Sequence, residues 1–274
     1  MISGWILDPD RKKMSKSTGR VVTPLALLEK YGSDAVRYWA ASGRPGVDLA
    51  FDENQLKVGR RLATKLLNAS RFVLGFGAPD GDATEPLDLA MLASLSTVVS
   101  AATAAFDAYD YTGSLVATEE FFWRYCDDYI ELVKERAYGT GPGADSARAA
   151  LRSALSVQLR LLAPILPYVT EEVWSWWQAG SVHRTGWPAP GELPTGGDPA
   201  VLDIVSAALA QVRRAKSERR LSMKAEIPVA SVHGTPDELG RLAQARADLL
   251  AATHITKLEE SPHVGGALEV RCTF

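Results

Sequence analysis

The chain has 274 residues, 46% apolar and 23% charged, with 30 basic against 33 acidic side chains and a net charge of -3. This allows one or two domains with a real core, argues against wholesale disorder, and excludes gripping a polyanion through bulk charge, so a nucleic-acid site must be a local basic patch. No run of 18 apolar residues is present to span a bilayer, and no apolar leader core follows Met1. Cys126 and Cys272 lie too far apart for a disulfide scaffold or standard zinc spacing, which suits a reducing cytosol.

Trp5-Ile6-Leu7 is a strand candidate and Asp8-Pro9-Asp10 a turn. As edge-exposed apolar residues that would normally pack in a larger sheet, these three are expected to be mobile or mispaired. Residues 11–20, RKKMSKSTGR, carry five positive charges and no acid. Pro24 suits a first helical turn with Thr23 as its cap and Gly32 as its close. A second short helix covers 34–41, and Gly43-Arg44-Pro45-Gly46 breaks it. The spacing predicts a long helix over 54–75 with Leu62, Leu66, Ala69 and Val73 on one stripe. Arg61, Lys65 and Asn68 form a stripe about 90° away, with Phe72 at nearly the same angle and Arg60 and Arg71 flanking.

Three more helices follow by the same periodicity. Residues 88–110 place Leu92, Leu95, Val99, Ala102, Phe106 and Tyr109 on one face. Residues 114–138 do so with Phe122, Cys126, Tyr129 and Val133, and 144–163 with Leu151, Leu155, Leu159 and Leu162. Four such helices with short connections predict an antiparallel bundle. Thr170 is expected to cap a further helix, with Glu171 and Glu172 at its positive end. Residues 186–199 hold eight Gly or Pro in fourteen and read as a linker. Beyond it, Val201, Val205, Ala208 and Val212 mark a helix ending in a basic cluster: Arg213, Arg214, Lys216, Arg219, Arg220 and Lys224 against Glu218. Strands are expected over 226–233 and 267–274, with a helix from Thr235-Pro236 to about 252. The fold class is therefore mainly α: an antiparallel helical bundle followed by a small α+β unit.

Chemically, the sharpest feature is Lys13-Met14-Ser15-Lys16-Ser17 followed by Gly19. It combines two ammonium groups three residues apart, two hydroxyls and a glycine hinge, a loop able to close over a polyphosphate. The competing reading is a solvated basic turn. On the predicted long helix, Arg60, Arg61, Lys65, Asn68, Arg71 and Phe72 offer cations, an amide and a ring suited to RNA, against the reading of a solvated face with Phe72 in the core. The cluster from Arg213 to Lys224 is either a backbone contact or solvent face. Asp127 and Asp128 point about 100° apart on a helix and do not converge on a metal, Cys126 falls on a core stripe, and His183 reads as a structural histidine. No metal site is expected. Trp174, Trp176, Trp177 and Trp187 read as core and capping aromatics.

The pentapeptide KMSKS resembles the second signature of class I aminoacyl-tRNA synthetases. The surrounding residues 2–17, ISGWILDPDRKKMSKS, look like the valyl-tRNA synthetase form of it. Residues 31–39 (YGSDAVRYW), Phe51-Asp52, 65–73 (KLLNASRFV), 126–129 (CDDY), 164–174 (PILPYVTEEVW), and 181–184 leading to Trp187-Pro188 resemble the same family in the same order. The likeness is strong over 2–188 and weak over 200–274.

The resemblance implies an enzyme that activates valine with ATP and Mg and transfers it to tRNA(Val). Lys16 would stabilise the pyrophosphate, with Lys13, Met14, Ser15 and Ser17 completing the ATP-binding loop. It also implies a division into 1–50 (KMSKS loop and stem-contact helices), 51–185 (anticodon-binding bundle), 186–199 (linker) and 200–274 (α+β tail). Where KSKGN is common in the family, this chain has Ser17-Thr18-Gly19-Arg20, which moves one loop charge. The His-x-Gly-His first signature, the valine pocket and the editing domain do not fit in the residues before Lys13. His263-Val264-Gly265-Gly266 lies on the wrong side of KMSKS to replace the signature and reads as a turn. The 274 residues alone are therefore expected not to aminoacylate. The expected partners are tRNA(Val) and the catalytic and editing domains, with no membrane, in a cytoplasmic monomer. A fragment of an isoleucyl or leucyl enzyme and a stand-alone synthetase-derived RNA-binding module are the alternatives.

Overall fold

The computed structural model describes residues 4–14, 24–263 and 265–274. The N-terminal elements are β1 (Ile6–Leu7), α1 (Pro24–Tyr31), α2 (Ser33–Ala41), β2 (Leu49–Ala50) and α3 (Glu53–Leu74). Then come α4 (Pro86–Asp107), α5 (Tyr111–Arg124), a π-helical turn (Tyr125–Tyr129), α6 (Ile130–Tyr138), α7 (Pro142–Leu162) and α8 (Pro167–Ser175). The last are α9 (Pro199–Glu218), β3 (Ile227–Gly234), α10 (Pro236–Gln244), α11 (Arg246–Thr253), β4 (Ile255–Pro262) and β5 (Glu269–Thr273). The chain forms two compact units. One comprises Met1–Gly75, Thr97–Phe121 and Leu155–Pro190, the other Phe76–Ser96, Phe122–Ala154 and Gly191–Phe274.

In the first unit, β1 pairs in parallel with β2, Ile6 opposite Leu49 and Leu7 opposite Ala50. The strand is thus paired within this chain, where the sequence leads to the expectation of a mobile or mispaired start. Gly4 makes the approach possible, since a Cβ there would lie 2.0 Å from the Val47 carbonyl oxygen. Trp5 and Ile6 stay exposed. Tyr31, Ala35, Trp39 and Leu56 form a core joining α1, α2 and α3, with Phe51 edge-on to Trp39 at 5.7 Å. Gly59 lets α3 press onto α2, since a Cβ at 59 would meet the Tyr38 ring at 2.8 Å. The Tyr38 hydroxyl donates to Glu119 at 2.8 Å.

Thr170 is not the cap of α8. It lies inside the helix, fully buried, with Oγ1 donating to the Leu166 carbonyl at 2.8 Å. Asp34 of α2 does the capping, accepting the amides of Tyr168 (3.1 Å) and Val169 (2.7 Å). Burial pushes the Asp34 carboxyl up, and those two bonds only partly offset it. Glu171 instead receives the Ser181 hydroxyl and the Val182 amide, both at 2.9 Å. Tyr109, expected on the apolar face of α4, is 73% exposed. The helix stops at Asp107, and Tyr109 turns the chain at φ 60°, so the helical phase is lost before it.

The second unit is organised by a buried polar network. Asp88, at 0% exposure, accepts two bonds from the Arg136 guanidinium, both 2.8 Å, and one each from Tyr129 (2.7 Å) and Ser146 (2.6 Å). Arg136 also reaches Asp248 of α11 at 2.8 and 3.0 Å. Burial opposes the Arg136 charge, but the two carboxylates outweigh it and hold the group more basic than usual. The network therefore ties α4, α6, α7 and α11 through one cation. The helix expected over 114–138 is interrupted by the π turn, where Tyr125 and Tyr129 stack at 5.9 Å.

The tail is a three-stranded sheet of order β4-β3-β5, with β3 parallel to β4 and antiparallel to β5. The helix expected to 252 breaks at Ala245 into α10 and α11, and β4 was not anticipated. A reciprocal capping box of Thr235 and Glu238 starts α10. Among the described residues, α4 is long and apolar enough to cross a membrane by length and composition. Its Leu87, Met91, Leu92, Leu95 and Val99 are buried within this chain.

Candidate nucleic-acid interface

Helix α3 starts at Asp52, whose side chain accepts the Asn54 amide at 2.8 Å. Leu56, Gly59, Leu62, Leu66, Ala69, Ser70 and Val73 are buried on one side. The other side carries Arg60, Arg61, Asn68 and Arg71 exposed, with Lys65 and Phe72 half-buried. Phe72 is thus neither a core residue nor a free-standing ring.

Helical rotation separates these residues into two flanks. Arg60 lies with Ala63, Thr64 and Leu67 along a pocket of about 500 Å³ closed on the α8 side by Tyr168 and Glu172. Arg60 also donates to the Lys30 carbonyl at 2.9 Å. About three turns after Arg60, the Arg71 guanidinium sits 5.7 Å from the Trp176 ring centre, and the Trp176 indole N–H donates to Glu172 at 3.0 Å. Arg61, Lys65, Asn68 and Phe72 occupy the remaining exposed face.

Two residues missed as candidates stand out on the α8 flank. Tyr168 is 65% exposed and Trp176 38%. Only the aromatic content of 164–177 hints at them in the sequence, where Trp176 reads as a core or capping ring. Four cations within twelve residues of α3, beside partly exposed rings, can hold phosphates and support stacked bases.

At the N-terminus, Lys13 is exposed and its Nζ lies 4.7 Å over the Trp5 ring. Leu7 forms an antiparallel bridge with Lys13, and the Lys12 amide donates to Asp8 at 2.7 Å. Met14 is half-buried. Ser15, Lys16 and Ser17 lie outside the described residues, as does Thr23, so the loop and its expected helix cap gain no geometry here.

The basic cluster after residue 212 is not one face. Arg213 donates to the Asp127 carbonyl at 2.7 Å and pairs with Asp128 at 3.6 Å. Arg214 pairs with Glu218 at 2.8 Å, and Lys216 is 1% exposed. His183 is seated structurally, with Nε2 3.0 Å from the Pro167 carbonyl. Among the described residues no group of three or more His, Cys, Asp or Glu is placed to hold a metal.

Comparison with known proteins gives two family matches. "Anticodon-binding domain of tRNA ligase" covers residues 88–231, and "tRNA synthetases class I (I, L, M and V)" covers 1–52. Helix α3 falls between them. The valine–tRNA ligase of Thermobifida fusca (strain YX) is 61% identical over 267 residues, 94% of this chain and 30% of that protein. That of Cutibacterium acnes (strain DSM 16379 / KPA171202) is 50% identical over 271 residues, 97% of this chain and 31% of that protein. The chain thus spans about a third of the length of these relatives. Among solved structures, the ternary complex of Agrobacterium radiobacter K84 agnB2 LeuRS with tRNA and LeuAMS matches with a TM-score of 0.53 and 21% identity. It covers 69% of this chain and 24% of that one, a likeness that bears on fold alone.

Proposed function

The chain belongs to the family of tRNA-ligase anticodon-binding domains, and on that premise we propose that it is the tRNA-gripping part of a valine–tRNA ligase. The observation that carries this reading is the outer side of α3, where exposed Arg60, Arg61 and Arg71 and half-buried Lys65 stand opposite a mainly apolar buried side. In this reading the cations hold backbone phosphates of the tRNA. Asn68 hydrogen-bonds base edges, and Phe72 supports an unpaired base. The division into a loop-and-stem segment (1–50), a bundle (51–185), a linker (186–199) and a tail (200–274) belongs to the same proposal.

The whole enzyme joins valine to ATP, releasing pyrophosphate, and then moves the valyl group to the terminal ribose of tRNA(Val). Lys16, with Lys13, meets the charge that develops on the pyrophosphate, while Met14, Ser15 and Ser17 shape the loop. ATP enters as substrate with its Mg. These 274 residues contain no His-x-Gly-His signature, so alone they do not catalyse ATP–pyrophosphate exchange. The protein works as a monomer in the cytoplasm. Valine-dependent exchange by the purified chain would overturn the assignment of catalysis to other residues.

The tRNA reading is tested with Arg61→Ala/Lys65→Ala. Binding of a valine tRNA transcript should weaken, and the slope of log K against log salt should flatten by about 1.4, at roughly 0.7 per single-strand phosphate contact. An unchanged slope removes this face from the interface.

A further inference from the structure

The second unit carries another cationic surface. Between α9 and β3, residues 219–224 read Arg-Arg-Leu-Ser-Met-Lys, and all six are exposed. The loop is built rather than loose. The Leu221 amide donates to the Lys216 carbonyl and the Ala225 amide to the Ser222 carbonyl, both at 2.9 Å. Arg220 turns the chain at φ 55°. From beneath, buried Lys216 donates Nζ to the carbonyls of Met223 and Thr253, both at 2.8 Å. One pinned ammonium thus fixes the loop to the end of α11.

The surface combines free cations with exposed apolar groups. The Arg219 guanidinium lies 4.3 Å from the Phe274 ring centre and reaches the Cys272 carbonyl at 3.4 Å, which joins the loop to the end of β5. The side chains of Arg220 and Lys224 have no ionic or hydrogen-bonding partner among the described residues. Glu226 is the only acid from 219 to 226, and Glu218 is engaged by Arg214. Leu221, Met223 and Phe274 are each more than a third exposed. Cations around a ring and two flexible apolar side chains fit a polyanion that also presents sugar and base faces. Because the loop is already ordered, little entropy opposes its use.

We propose that residues 219–224 together with Phe274 form a second contact for the tRNA backbone, separate from the α3 face. This rests on the tRNA reading above. Arg219, Arg220 and Lys224 take phosphate oxygens, and Phe274, Leu221 and Met223 lie against ribose or base.

The test measures a valine tRNA transcript binding to the whole chain across a salt series. Wild type is compared with Arg219→Gln/Arg220→Asn/Lys224→Gln, in which Asn tolerates the left-handed backbone at 220. The salt slope should fall by about two, at roughly 0.7 per phosphate contact, with weaker binding at every salt concentration. If the triple variant unfolds early, Lys224→Gln alone should still lower the slope by about 0.7. If Arg61→Ala/Lys65→Ala weakens binding while the loop variants keep wild-type slope and affinity, the loop proposal fails and the tRNA reading stands. If the wild-type chain does not bind the transcript at all, both fail.

Discussion

Replacing Arg136 with Met tests whether the second unit is held by its buried ion network. The guanidinium makes five hydrogen bonds: two to Asp88 and two to Asp248, at 2.8 to 3.0 Å, and one to the Gly143 carbonyl at 2.8 Å. Summing charge-assisted bonds at about 1.5–3 kcal/mol each would overshoot, because their desolvation is shared. The relevant quantity is the charge left behind. Removing one partner of a buried pair costs about 3–5 kcal/mol. Asp88 keeps its bonds from Tyr129 and Ser146, and the Asp248 side chain retains 11% exposure to recruit water, so the loss should fall near the low end, about 3 kcal/mol. At about 2–4 °C per kcal/mol, the midpoint should drop by about 6–12 °C. Urea unfolding followed by circular dichroism reads the loss, and hydrogen exchange in α11 should rise with it. Adding Asp88→Asn to the variant should recover part of the loss, since an amide leaves no uncompensated charge. A loss below about 1 kcal/mol, or strictly additive single variants, would refute the reasoning.

Asp34→Ala should cost about 1–2 kcal/mol by stripping two amides at the start of α8 of their acceptor, and Asp34→Asn about half of that, read from urea midpoints. Equal losses would mean that the cap is not the cause. Gly59→Ala should destabilise by about 1–3 kcal/mol through collision with Tyr38, outweighing a helix-propensity gain of about 1 kcal/mol; a stabilised variant would show that α2 and α3 can part. Glu238 is held below the usual carboxylate range, chiefly by the Thr235 backbone amide, with burial opposing. Its contribution is therefore present above the ordinary value of 4.5 and fades as pH falls through the lowered one. The stability gap between wild type and Glu238→Gln should shrink on acidification below pH 4.5; a gap constant with pH would contradict the capping box.

Much of the fold was legible because each helix wrote its own period. Leu62, Leu66, Ala69 and Val73 are all buried on α3, and Leu92, Leu95, Val99 and Ala102 on α4. What failed was fixed by distant partners. Thr170 has the chemistry of a cap, but Asp34, 134 positions before Tyr168 in sequence, occupies that role. Strand β4 buries Ile255 and Leu258 at a spacing of three, among Lys257, Glu259 and Glu260, so no alternation announces it. The stripe on α3 could be read as a set of residue types, but not its two flanks. The pocket side exists only because α8 brings Tyr168 and Glu172 against Arg60 and Thr64. The basic run after residue 212 looked uniform, while tertiary contacts divide it among an ion pair, a buried pin and an open loop.

We propose that this chain grips valine tRNA at its anticodon. Fluorescence anisotropy with labelled valine tRNA, set against the same tRNA carrying a replaced anticodon, tests it most directly. The account predicts markedly tighter binding of the unaltered transcript, with the difference abolished by Arg61→Ala/Lys65→Ala. Equal affinity for the two transcripts, at a salt concentration where both bind measurably, would contradict it.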